Sequence, residues 1–432
     1  MTSISALRSA LFGRAIPISK SVQFAVALGM IVLIAYPAQA SAAEHWPRFR
    51  GPDGAGVVSG TTIPSKWAAE DYLWNVEIEG VGHSSPVVWG DRLFLNTATN
   101  DGRDRRLIAI DIATGASIWS VDLNLDSNHL HQKNSWASGS PAVDADVVCT
   151  TFADTEQFVV SAFDHDGELL WRQDVGPFDS KHGHGASPLL VGDLVIVTND
   201  QLGPSATYAF SKFDGEVRWK LDRASGHTAY STPLMIERNG RKQVVLSSSA
   251  SGVTAVDVAD GSEVWSTRGF RQRVVGSPIL AGDFVIQTAG QGGGGKDFLA
   301  IDPYGKGDRK AGSIVKEMTR SLPYVPTPVY YDGKLFLWTD GGIIVCLDAT
   351  DFRRLWIERL PGAAFSGSPV CIDGRLCAMS EDGTAYVVSA SDRFELLGRT
   401  ALGDPSYSTP AVANNKLFLR TFHRLMCLPG QD

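Results

Sequence analysis

The sequence predicts an all-β chain folded as an eight-bladed β-propeller, with the last blade closed by an N-terminal strand. Three observations carry this prediction. A Ser/Thr-Pro phrase recurs eight times, a second phrase ending in Trp follows it, and an N-terminal segment holds the copy of the second phrase that the last repeat lacks. Self-similarity at a fixed period takes precedence over length in judging how many domains a chain of 432 residues forms.

The first phrase is a small residue, Ser or Thr, Pro, and then a β-rich run with a turn inside it. Its prolines are Pro86, Pro141, Pro188, Pro233, Pro278, Pro328, Pro369 and Pro410, with gaps of 55, 47, 45, 45, 50, 41 and 41 residues. Short strands and Gly/Asp/Asn turns at that spacing describe propeller blades, and no sustained 3.6-residue periodicity argues for helices.

The second phrase stands at Ala109–Trp119, Ala162–Trp171, Ala209–Trp219, Ala255–Trp265 and Cys346–Trp356. Each copy reads as strand, tight turn and strand, with glycine supplying a positive φ in most of the turns. The recurring Trp is expected to cover the gap between neighbouring blades with its apolar face. Two copies are degraded, with Val315 and Leu397 read in the Trp position. The eighth repeat stops after Cys427-Leu428, where a Trp-bearing strand is due, and Leu73-Trp74-Asn75-Val76-Glu77-Ile78 supplies it. Closing the ring this way removes exposed sheet edges.

Residues 1–42 read as a signal peptide: Arg8, Arg14 and Lys20, an apolar run over 22–36, then small residues with A-x-A spacing. The run is fifteen residues, short of the roughly 18–20 that span a bilayer. Removal of those three cations and no anions takes the formal net charge from −8 to −11. An acidic exported chain argues against nucleic acid and anionic membranes as partners. Residues 43–432 are then one propeller domain, periplasmic or secreted, monomeric, with no stable membrane insertion after cleavage. Five cysteines are odd and few for so long an exported chain. Only Cys371 and Cys377 lie close together, and whether they are bridged is left open.

The copy Ala109-x-Asp111-x-x-Thr114-Gly115-x-x-x-Trp119 has the tryptophan-docking motif of PQQ-type propellers. The chain therefore resembles the quinoprotein alcohol dehydrogenase-like superfamily and, by length, its BamB-like branch. The opening Trp46–Val57 (WPRFRGPDGAGV) also resembles the start of many exported PQQ-like repeat proteins. The resemblance implies one of two functions. BamB-like members are noncatalytic scaffolds that grip a partner with loops, although the lipobox Cys of that lipoprotein is missing here. Quinoprotein dehydrogenases hold PQQ and calcium in the propeller, typically with two adjacent cysteines and a catalytic Asp. No two cysteines are adjacent in this chain, so no catalytic residue is assigned and no cofactor is expected. The favoured expectation is a noncatalytic binding or scaffold protein with a protein or glycan partner in the cell envelope. The alternative is a PQQ-dependent alcohol or sugar dehydrogenase.

If the strand starting at each Pro is innermost, the residues just before it crowd one mouth of the central channel. The ligand-binding candidates there are His83, Trp136, His184, His227, Tyr230, Arg271, Arg273, Tyr324 and Tyr407. Arg and His could pair with an anionic or carbohydrate-like ligand while the aromatics stack. His184, His83 and His227 could instead hold a metal, but no metal site is assigned because His182-Gly183-His184 matches no closed ligand spacing and alternate residues of a strand face opposite ways. The third reading is a set of side chains that plug the channel. The Gln291–Lys296 run lacks phosphate-loop spacing and reads as an inter-strand loop.

Overall fold

Every inner strand begins one residue after a Ser/Thr-Pro proline: Val87–Trp89, Ala142–Val143, Leu189–Val191, Leu234–Arg238, Ile279–Ala281, Val329–Tyr331, Val370–Ile372 and Ala411–Ala413. Proline holds the residue before it extended and fixes its own φ, so the dipeptide sets the entry of each strand. Three further antiparallel strands follow outward in seven of the sheets, giving blades at 87–124, 142–174, 189–223, 234–266, 279–318, 329–359 and 370–401. The eighth, at 411–429, takes its outermost strand from Trp74–Glu77, which pairs Trp74 with Cys427 and Glu77 with Arg424. The computed structural model describes residues 44–292 and 294–431. The signal peptide assigned to residues 1–42 lies outside them.

The pre-proline Ser and Thr residues have a role that their recurrence alone does not reveal. At seven junctions the backbone N–H of this residue donates to the hydroxyl of its counterpart in the next blade, at 2.8–3.0 Å. The last of these runs from Thr409 to Ser85 and so joins blade 8 to blade 1. A buried N–H outside the sheet ladder must find an acceptor, and a short hydroxyl side chain is the smallest that reaches across.

The tryptophans stitch the outer ends of blade junctions, including the one between blades 3 and 4 that lacks a hydroxyl link. Trp119, Trp171, Trp219 and Trp356 each donate the indole N–H to a carbonyl in the following blade, of His165, Lys212, Val258 and Ser391, at 2.8–3.0 Å. Trp74, on the borrowed strand, does the same to Ile112 of blade 1 at 3.1 Å. Five rings, those of Trp74, Trp119, Trp171, Trp219 and Trp265, lie over a turn glycine of the next blade; a Cβ on Gly215 would come within 2.7 Å of Trp171. Trp171→Ala should therefore cost about 3–5 kcal/mol, read as a lower denaturant midpoint at unchanged slope. A loss under about 1 kcal/mol would show that the ring carries little of the junction.

A bulge corrects the reading of the two degraded copies. In the intact blades Ala109 pairs with Trp119 and Ala162 with Trp171, each beside a register shift. The equivalent pairs are Ala300 with Lys316 and Val387 with Gly398, so Lys316 and Gly398 occupy the Trp position. Val315 and Leu397 are the extra bulged residues, one place earlier. At Gly398 a Cβ would stand 2.1 Å from the carbonyl oxygen of Ser65, because the N-terminal segment is laid against this strand in place of an indole.

That segment also closes the axis. Trp46 exchanges backbone hydrogen bonds with Val88 of blade 1, and Val143 of blade 2 donates to Pro47. Arg48 donates to the Pro233 carbonyl of blade 4 at 2.6 Å. Arg50 reaches the carbonyls of Pro328 and Pro369, in blades 6 and 7, at 2.7 and 2.6 Å. Val57–Val58 then adds a fifth, parallel strand to the inner edge of blade 7. Burial pulls the two guanidiniums down, Arg48 to about 10 and Arg50 to about 9, against the pull of Asp53. Both stay charged at neutral pH, held by carbonyls rather than carboxylates.

All five cysteines are free and buried. Cys377 pairs with Val370 and Cys371 with Leu376, and the two thiols pack into different core clusters on opposite faces of one sheet. That alternation answers the question of a bridge: none forms between them.

Candidate functional site

A cavity of about 690 Å³ opens on the axis at the end where the Ser/Thr-Pro phrases begin. Phe49, from the segment that crosses the axis, lines it, so the channel is a cup rather than a tube. Of the sequence-predicted candidates His83, Tyr230, Arg273, Tyr324 and Tyr407 line the cup. The other four do not. Trp136 packs on Gly102 and donates to the Asn128 carbonyl at 3.1 Å. His184 is buried edge-on between Phe158 and Phe178, with ring centroids at 4.9 and 5.5 Å. His227 and Arg271 are exposed near the rim. The trio His83, His184 and His227 is thus dispersed, and among the described residues no three His, Cys, Asp or Glu side chains are grouped to hold a metal.

Alternation along the chain explains part of this split. His182, two residues from His184, lines the cup and sets its ring edge-on to His131 at 4.9 Å. Burial, then the charge of Arg273 and the neighbouring His131, push His182 down to about 4. His83 is pushed down to about 3 by burial and by Arg420, and its ring sits beside Tyr407 and Phe422 at 4.8 and 5.0 Å. Both imidazoles are neutral at physiological pH.

Charged groups from turns that carry no repeat phrase complete the wall. Lys296 reaches Asp340 at 2.8 Å, and Asp340 also accepts the backbone N–H groups of Tyr324 and Val325 at 2.8 and 2.9 Å. Lys133, on the connection between blades 1 and 2, arches over the mouth to both oxygens of Glu381 in blade 7, at 2.7 and 2.9 Å. Ser366 donates to the same carboxylate at 2.7 Å. Arg273 donates to the Tyr324 hydroxyl at 3.0 Å, and its buried Nε has no partner among the described residues. The lining therefore holds three cations against two carboxylates.

The cup fits a calcium-held quinone poorly, because both carboxylates that line it are already bound by lysines and by backbone or hydroxyl donors. The thiols fit it no better: burial raises Cys149 strongly and the other four to about 12.

Comparison with known proteins agrees with the geometry of the ring. The family model described as outer membrane protein assembly factor BamB matches residues 66–156 and 103–317. A protein of that description from Yersinia pestis is 23% identical over 379 residues, covering 81% of this chain and 86% of the relative. The crystal structure of BamB from Moraxella catarrhalis superposes with a TM-score of 0.61 at 14% identity, covering 83% of this chain and 97% of that one. A europium-containing methanol dehydrogenase gives a TM-score of 0.67 at 12% identity, covering 87% and 89%. At such identities the structural likenesses establish the fold alone.

Proposed function

The chain belongs to the outer membrane protein assembly factor BamB family, and on that premise we propose that it is an exported, noncatalytic scaffold that holds a protein partner in the cell envelope. The observation that carries this reading is the extent of the likeness to an assembly factor, which runs through most of both chains rather than through one borrowed blade. The chemistry of the cup supports it as well. Its carboxylates are taken up in ion pairs and the thiols are buried, so neither stands ready as a base, a metal ligand or a nucleophile. Loops on a rigid ring, by contrast, are where binding surfaces sit. No observation favours the dehydrogenase alternative over this reading.

The test uses the full chain expressed in its own cell, with a photoreactive residue at Arg271 on the rim or at Asp332 on the opposite face. Both positions are exposed. The expected result is an adduct with an outer-membrane assembly protein from the rim position only. The exported protein should begin at Ser41 or Ala43, as intact mass will read. Equal adducts from both faces, no adduct at all, or an unprocessed chain kept in the cytoplasm would overturn the proposal.

A further inference from the structure

We propose that the axial cup is a binding site for a small sugar acid, with the ligand's carboxylate held by Arg273. This goes beyond the scaffold reading and does not depend on it.

Three independent features point to that chemistry. The first is charge. In a chain of formal net charge −8 the cup carries one cation more than its carboxylates neutralise, and that cation is Arg273. Its guanidinium is oriented by Tyr324 through Nη1, and among the described residues its Nη2 donates to no protein acceptor. Arg48 and Arg50 lie buried in the segment that floors the cup, paired only with carbonyls, and add to the positive field. A planar guanidinium with spare donors matches a carboxylate.

The second feature is the ring of hydroxyls. Ser85, Ser187, Ser277, Thr327, Ser368 and Thr409 all line the cup and each accepts one backbone N–H. A hydroxyl that accepts still has its hydrogen to give. Among the described residues none of these six donates to a protein acceptor, so the wall presents a circle of O–H donors to whatever enters. A ligand rich in oxygen acceptors meets that circle; an aliphatic one leaves it unpaired.

The third feature is shape. Phe49, Tyr230, Tyr324, Tyr407 and His83 give flat apolar faces around a volume of about 690 Å³, ample for one or two sugar rings on the scale of small-molecule sites. Aromatic faces suit the C–H faces of a sugar, and the hydroxyls and Arg273 then take its polar edge.

Isothermal titration of the purified mature chain tests the proposal, with D-glucuronate, D-glucose, acetate and inorganic phosphate as probes. Glucuronate should bind saturably, at least about tenfold more tightly than glucose, acetate or phosphate. Arg273→Gln should weaken glucuronate by about tenfold or more while leaving glucose unchanged. If that variant melts lower than the parent, Tyr324→Phe is the companion: it keeps the charge, frees the guanidinium, and should weaken glucuronate by roughly threefold. Absence of saturable glucuronate binding, equal binding of glucose, tighter binding of phosphate, or full affinity in well-folded Arg273→Gln would each overturn it.

Discussion

Removal of residues 44–79 should leave a chain that fails to fold as a monomer. Trp46, Ile63, Trp67 and Trp74 are all buried, Trp46 and Ile63 completely. Emptying such sites costs about 3–5 kcal/mol for each large aromatic, and three of them together are comparable with the whole stability of roughly 5–15 kcal/mol that a folded domain holds. The deletion also strips Arg424–Pro429 of its partner strand, turning the outside of blade 8 into an open edge, and it removes the indole that ties this blade to blade 1. Circular dichroism and size-exclusion chromatography on the mature and shortened chains decide the matter. An unchanged melting temperature with monomeric elution would show that the ring closes without this segment. Trp74→Ala alone should retain the fold at a cost of about 3–5 kcal/mol.

Arg50→Met should destabilise by about 3–5 kcal/mol, although it removes a buried charge. Two effects oppose each other here. Desolvation of the guanidinium is costly, as its lowered pKa of about 9 shows, and replacing buried ions by apolar residues is sometimes neutral or better. That outcome requires both partners to change. The partners of Arg50 are the main-chain carbonyls of Pro328, Pro369, Gly54 and Ala55, which no substitution at position 50 can remove. Each carbonyl left buried without a donor costs about 1–3 kcal/mol, so the loss of the bonds prevails. Arg50→Lys should recover only part of it, because one ammonium cannot reach two blades as a fork does. Chemical denaturation of the three proteins is the measurement, and a Met variant as stable as the parent would refute the argument.

The ring itself was legible because each of its parts depends on a residue type. Pro positions the eight inner strands, Trp spans the junctions, and Leu73-Trp74 has the composition of the strand missing from blade 8. The axial segment was not legible beyond its likeness to other chains. Arg48 and Arg50 bind carbonyl oxygens, which every residue offers, so nothing in the sequence marks Pro233, Pro328 and Pro369 as their partners. The one-residue error at Val315 and Leu397 has a similar origin, since a bulge leaves no signature in composition. For the cup, proximity to Pro brought in Tyr230, Arg273 and Tyr324 but could not separate His182 from His184, which alternate about one stretch of backbone. Lys133, Lys296, Asp340 and Glu381 escaped because they lie in turns and connections far from any repeat phrase. For Lys296, Asp340 and Glu381 the one signal was topological: the turn between the second and third strands returns to the same end of the blade as the Ser/Thr-Pro.

The hydroxyl circle separates the unit of duplication from the unit of cohesion. In six of the eight repeats the Ser or Thr serves the backbone of the blade before it and depends on one supplied by the blade after it. A blade copied or exchanged as a cassette would therefore bring the wrong half of two bargains unless its neighbours already held a hydroxyl at the same place. Divergence in such a ring is free on the outer strands, where Lys316 and Gly398 have displaced the indole, and is tied at the axis, where a change in one blade is felt first by another.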